Sequence, residues 1–199
     1  YILLENDMIT HNDHTLYRIQ AVRSFDNVRV GDFGGYVEKE SNLSHYGNCW
    51  VFNDACVYGN ARAYGNSFVS GNAYVSDNAH ICGNARVYDN SLVSGNAYVS
   101  DNAHICGNAS VYGDSFVSGN SYVTDNTCVY GNACVYEDSF VSGSLCVSDN
   151  ARVYGNARVS GAASVSGNAR VSDNARVYGN AKVSDNTSVS GNASVCGNL

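Results

Sequence analysis

Residues 153–158 read VYGNAR: a β-branched residue, an outward position, a corner of Gly or Asp followed by Asn, and a small residue. This hexad begins near Tyr46 and recurs to Leu199. Stepping by six from Val51 to Val195 visits 25 positions, of which 24 are Val or Ile and one is Ala63, and no insertion shifts the frame. Four places after each of these stands a small residue, usually Ala, with Leu145 and Leu199 the only large ones.

Each feature has a physical use. The β-branched residue points inward and packs on its equivalents above and below, while its two neighbours point outward in strand alternation. Gly and Asn tolerate positive φ, and Asn or Asp side chains can hydrogen-bond the local backbone, so this chemistry suits a corner every six residues. The small residue lets the corner close over the core. Helix is excluded, because no 3.6-residue period and no run free of Gly and Asn appears after residue 46.

Strands this short with regular corners stack as a parallel β-solenoid. The hexad resembles the hexapeptide repeat of left-handed β-helices, in which three hexads make one triangular coil. That resemblance implies an all-β, single-stranded, left-handed parallel β-helix over residues 46–199, with a three-sided coil of 18 residues and a length of about 40 Å at ~4.8 Å per coil. A second period competes with it. SGNAYVSDNAHICGNA stands at both 70–85 and 94–109, a unit of 24 residues, and a four-sided coil would stack His80 on His104 and Cys82 on Cys106. Duplication of whole hexads requires no relation to coil length, so three sides are expected. Val51, Val69, Val87 and Ile105 then form one inward column, and Cys128 lies over Cys146.

Residues 1–45 lack the hexad and read as short strands with Gly turns, a small β-rich cap over the first coil. Residues 16–52, LYRIQAVRSFDNVRVGDFGGYVEKESNLSHYGNCWVF, resemble the N-terminal region of YdcK-like proteins and their phage and prophage relatives, which carry a similar block leading into a hexapeptide β-helix. The resemblance implies the fold and a bacterial or phage origin, and carries no activity. Asp32-Phe33-Gly34 is not a kinase motif, since no Gly-rich loop, β3 lysine or HRD accompanies it.

The 199 residues hold 11 Lys and Arg against 18 Asp and Glu, a net charge of −7, which argues against nucleic acid as a partner. No apolar run approaches the roughly 18 residues of a membrane span, so no membrane partner is expected. The first residue is Tyr1, which leaves a targeting segment open. Localisation stays unassigned, with an extracellular filament or phage particle favoured over the cytoplasm.

Left-handed β-helix acyltransferases resemble one another in needing a catalytic His beside a cleft, usually with a loop leaving the coil. Here His80 and His104 lie in the repeat, His45 at its edge, no loop leaves it, and a smooth prism offers no pocket. An acyltransferase-like enzyme is therefore the alternative, and no catalytic residue and no cofactor are assigned. Among 8 Cys no C-x-x-C occurs, and Cys56, Cys82, Cys106, Cys128, Cys134 and Cys146 take outward places held elsewhere by Ser, Tyr or Arg, so no metal site is expected. Cys128 and Cys146 are either a disulfide or a ladder pair. Thr forms no regular rows of the kind an ice-binding face needs.

The outward surface carries more. Residues 46–146 hold 10 Tyr together with Trp50, Phe52, Phe68, Phe116 and Phe140, whereas 147–199 hold only Tyr154 and Tyr178. Outward Phe and Trp in such number mark an association surface, assigned to Trp50, Phe52, Phe68, Tyr74, Tyr98, Phe116, Tyr122 and Phe140. Charge is segregated too. Residues 1–45 carry four positive and seven negative charges, 46–146 two and eight, and 147–199 five and three. The basic end holds Arg152 stacked on Arg170 and Arg158 on Arg176. A non-enzymatic, rigid, self-associating rod is expected, forming a homo-oligomer or filament. Beside the enzyme, the other alternative to this rod is a module presenting the aromatic surface to glycan or protein. Because the hexads run unchanged to Gly197-Asn198-Leu199, an open last coil is expected to receive the acidic cap of another copy, giving axial growth.

Overall fold

The computed structural model describes residues 1–197 and consists of three sheets of eleven, nine and nine strands. Most solenoid strands are two residues long, as in Tyr98–Val99 and His104–Ile105, and each pairs in parallel with the strand eighteen residues on. The coil is three-sided. Val51, Val69, Val87 and Ile105 stand in one column of the third sheet, all fully buried, and His80 and His104 fall on different faces. Cys128 pairs with Cys146 as expected, and both thiols are free.

The corners explain why six residues suffice. In every hexad from 53 to 191 the residue two places after the inward position has positive φ, and it is Gly, Asp, Asn53 or Glu137. The following Asn does not serve the local backbone, as its turn chemistry suggested. Its amide instead reaches the equivalent residue one coil on: Asn66 donates to Asn84 at 3.2 Å, Asn84 to Asn102 at 2.9 Å and Asn102 to Asn120 at 2.9 Å. Identical residues stack in parallel register at 18-residue spacing, so a side chain that donates and accepts bonds its own copy more readily than the corner beneath it.

The cap is more continuous with the solenoid than its composition implies. Strand β1 (Ile2–His11) and strand β2 (His14–Gln20) form an antiparallel hairpin. Asn12 and Asp13 both have positive φ at its turn, the backbone of a two-residue type I′ hairpin. Strand β3 (Phe33–Val37) pairs antiparallel with β2 and parallel with Cys56–Val57, so the cap extends one of the three solenoid sheets. Strand β4 (Leu43–Gly47) likewise opens the second sheet against Arg62–Gly65. Parallel stacking thus begins before residue 46. Val37 pairs with Val57, twenty residues on, and that two-residue offset hides this first turn from the hexad count. Gly34 and Gly35 answer to close packing: a Cβ would lie 2.5 Å from the Ile19 side chain at Gly34 and 2.5 Å from the Ala55 carbonyl at Gly35.

Three outward assignments are corrected, two of them by this cap. Trp50 is only 2% exposed, covered by Tyr1 and Phe25, whose rings lie 6.3 and 5.6 Å away. Cys56 is buried beside Leu16 and Tyr36, and burial pushes its thiol up to about 11. Cys82 is buried as well, its thiol donating to the Tyr98 hydroxyl at 3.2 Å. Strand alternation says which way a side chain leaves the coil, whereas its exposure depends on what the cap and neighbouring rings place over it. The expectation of an open last coil involves Asn198 and Leu199, which lie outside the described residues.

Candidate functional site

The residues assigned to one association surface are distributed over all three faces. Phe68, Tyr122 and Phe140 share a column of the third sheet with Trp50 at its covered end, and Phe52 packs on Phe68 at 5.6 Å from the neighbouring outward row. Tyr98 and Phe116 stack on the second face at 5.6 Å, and Tyr74 stands on the first. Intrachain stacking therefore absorbs part of the aromatic surface. The largest exposures among the assigned residues are Phe116 at 38%, Tyr122 at 40% and Phe140 at 39%. The arginine ladders stand where the register put them, Arg152 on Arg170 on the second face and Arg158 on Arg176 on the third.

The third face has the most ordered column. Moving toward the C-terminus, Phe68 is followed by Arg86, His104, Tyr122, Phe140, Arg158 and Arg176, one residue per coil. Tyr122 and Phe140 lie 6.1 Å apart, and the Asn120 amide donates to Asp138 at 2.7 Å in the adjoining corner column. Aromatic, acidic and guanidinium groups are thus brought onto one flat surface.

Near the cap the same face is not smooth. The segment after Ala21 doubles back, held by Phe25 and Val28 exchanging backbone hydrogen bonds at 2.9 and 2.8 Å, and Asp26 and Asn27 at its tip overhang the coils. Beneath lies a groove of about 370 Å³, with Phe52, Phe68, Arg86, Tyr88 and His104 lining it from the coil face. The prism without a pocket is corrected here, because a cap loop forms one side of a cleft that no coil insertion was needed to make. The Arg86 guanidinium lies 5.9 Å from the Phe68 ring centre and has no hydrogen-bond or ion-pair partner among the described residues. His104 stacks on Tyr122 at 4.6 Å and meets the edge of Tyr88 at 6.1 Å. Burial, and after it the Arg86 charge, lowers the pKa of His104, and its Nδ1 has no hydrogen-bond partner among the described residues.

Sequence reasoning passed over Asp26, Arg86 and Tyr88. A signal existed for one of them: Arg86 is one of two cations between 46 and 146. The other histidines serve structure, His45 stacking on Tyr1 at 4.3 Å and His80 on Tyr98 at 5.8 Å. Among the described residues no three metal-ligating side chains cluster.

The family model of the YdcK β-solenoid repeat matches residues 79–95, 147–161, 151–167, 163–179, 169–185 and 175–191. No curated protein matches the chain in sequence. The matched segments lie in the coils whose 18-residue stacking is described above, so repeat and register agree on a parallel β-solenoid whose coils are similar to the YdcK β-solenoid repeat.

Proposed function

We propose that this protein is a non-enzymatic structural rod that associates with copies of itself along its third face. The observation that carries the reading is the order Tyr122, Phe140, Arg158, Arg176 in one column at one-coil spacing. A two-fold axis running along the strands between the Phe140 and Arg158 coils sets Phe140 against Arg158 of a second copy and Tyr122 against its Arg176. Each guanidinium then meets an aromatic ring, with Asp138 in the flanking column beside it. Such a contact is isologous: one surface supplies both halves. Cation–π pairing at partly desolvated sites contributes about 0.5–2 kcal/mol per pair, and four such pairs would arise across the axis. The 18-residue coil supports the structural role, since rigid stacking keeps the four rows in step over the paired length.

Light scattering after size exclusion tests the reading. The intact chain is expected to run as a dimer or larger species, and Arg158→Glu with Arg176→Glu to run as a monomer with an unchanged circular dichroism spectrum. A monodisperse monomer of the intact chain at about 100 μM would sink it.

A further inference from the structure

The cap-side groove lies outside the paired rows and has chemistry of its own. At about 370 Å³ it falls in the lower part of the ~300–1,000 Å³ range of small-ligand sites. Its parts make opposite demands on a ligand. Arg86 is exposed, without an acceptor among the described residues, in a segment whose two positive and eight negative charges leave it −6, so its natural counterpart is an anion, taken best by bidentate pairing with a planar carboxylate. The Asp26 carboxylate of the cap loop lines the same groove and accepts hydrogen bonds only, and Asn27 beside it and Ser70 on the coil face add short polar groups, so these residues call for hydroxyl partners. The partly buried Phe52 and Phe68 rings add an apolar surface to the same lining. His104 completes the lining, and its buried Nδ1 has no hydrogen-bond partner among the described residues.

The geometry points to a binding site for an acidic saccharide. A pyranose bearing one carboxylate meets all three demands, with its carboxylate on Arg86, its C–H face on Phe52 and Phe68, and its hydroxyls on Asp26, Asn27 and Ser70. A neutral sugar leaves Arg86 unanswered. An aromatic acid without hydroxyls leaves Asp26 facing an acceptor-only or apolar edge, where an unpaired carboxylate is unfavourable.

Titration calorimetry of the full chain with glucuronate, glucose and benzoate tests this. Expected is saturable glucuronate binding in the millimolar range, at least about tenfold tighter than either control, a difference of ~1.4 kcal/mol. Arg86→Met keeps the side-chain stem over Phe68 and should abolish saturation, and Asp26→Ala should weaken binding several-fold, with circular dichroism unchanged in both. Absence of saturation by about 50 mM glucuronate would overturn the proposal, as would benzoate binding equally well or an Arg86→Met variant that binds like the parent.

Discussion

The Asp77 carboxylate accepts the backbone N–H of Gly95, one coil further along, at 2.9 Å. Asp89 does the same for Gly107 at 3.1 Å, Glu137 for Gly155 at 2.7 Å and Asp173 for Gly191 at 2.8 Å. Each of these acids has positive φ, a conformation that costs a non-glycine residue roughly 1–2 kcal/mol. The hydrogen bond to the next coil offsets that cost. Every acidic corner from Asp77 to Asp173 also has Gly eighteen residues before and after it, so no two corner carboxylates stack.

Replacing Asp77 separates the two effects. Asp77→Ala keeps the strained backbone and loses the bond, and should destabilise by about 1–2 kcal/mol. Asp77→Gly loses the bond and relieves the strain, and should be close to neutral. Urea denaturation of the pair checks the order, and equal losses would refute the account.

Gly83 obeys the opposite constraint. A Cβ there would stand 2.7 Å from the Asp101 nitrogen and 3.0 Å from its Cα, and φ is +64°. Gly83→Ala should therefore cost at least about 2 kcal/mol, since strain and backbone overlap add. Thermal melting followed by circular dichroism reads the loss, and a melting temperature equal to the parent's would show that the coils can spread to admit a methyl group.

The Asn ladder has a direction, each amide donating to the next coil. Asn84→Ala removes one bond received from Asn66 and one given to Asn102, and should cost about 1–2 kcal/mol. Asp114 interrupts a second ladder: it accepts from Asn96 at 2.8 Å but as a carboxylate has nothing to donate to the next coil. Asp114→Asn should raise the melting temperature slightly. A decrease would mean that the charge-assisted bond outweighs the completed ladder.

Acid should loosen the cap before the coils. Glu38 is partly buried, which raises its pKa, but the hydrogen bond from His14 at 2.9 Å, that from the Gly59 N–H at 2.7 Å and the nearby charges outweigh burial and hold it below the usual carboxylate range. A carboxyl depressed in the folded state contributes stability above its unfolded pKa, near ~4.3, and that contribution is lost as pH falls through the folded value. Trp50 is the single tryptophan and lies under the cap, so its fluorescence should report the loosening below about pH 4. Glu38→Gln should flatten that part of the profile, and an identical acid profile in the variant would exclude Glu38 as its source.

The hexad by itself determined the architecture, because its rules are local. A β-branched residue every sixth position, a corner that accepts positive φ and a small residue behind it specify a parallel solenoid, and the three-sided coil that the hexapeptide resemblance implied pairs Val51 with Val69 and Cys128 with Cys146. Tertiary structure decided everything that depends on a distant neighbour. Trp50 and Cys56 are outward by alternation yet buried, because β1 to β3 and the segment after Ala21 come from outside the repeat to cover them. Asn66 bonds Asn84 only once stacking brings the two together. The groove exists because Asp26 and Asn27 hang over Arg86 and His104, at separations of about sixty to eighty residues that no six-residue period encodes.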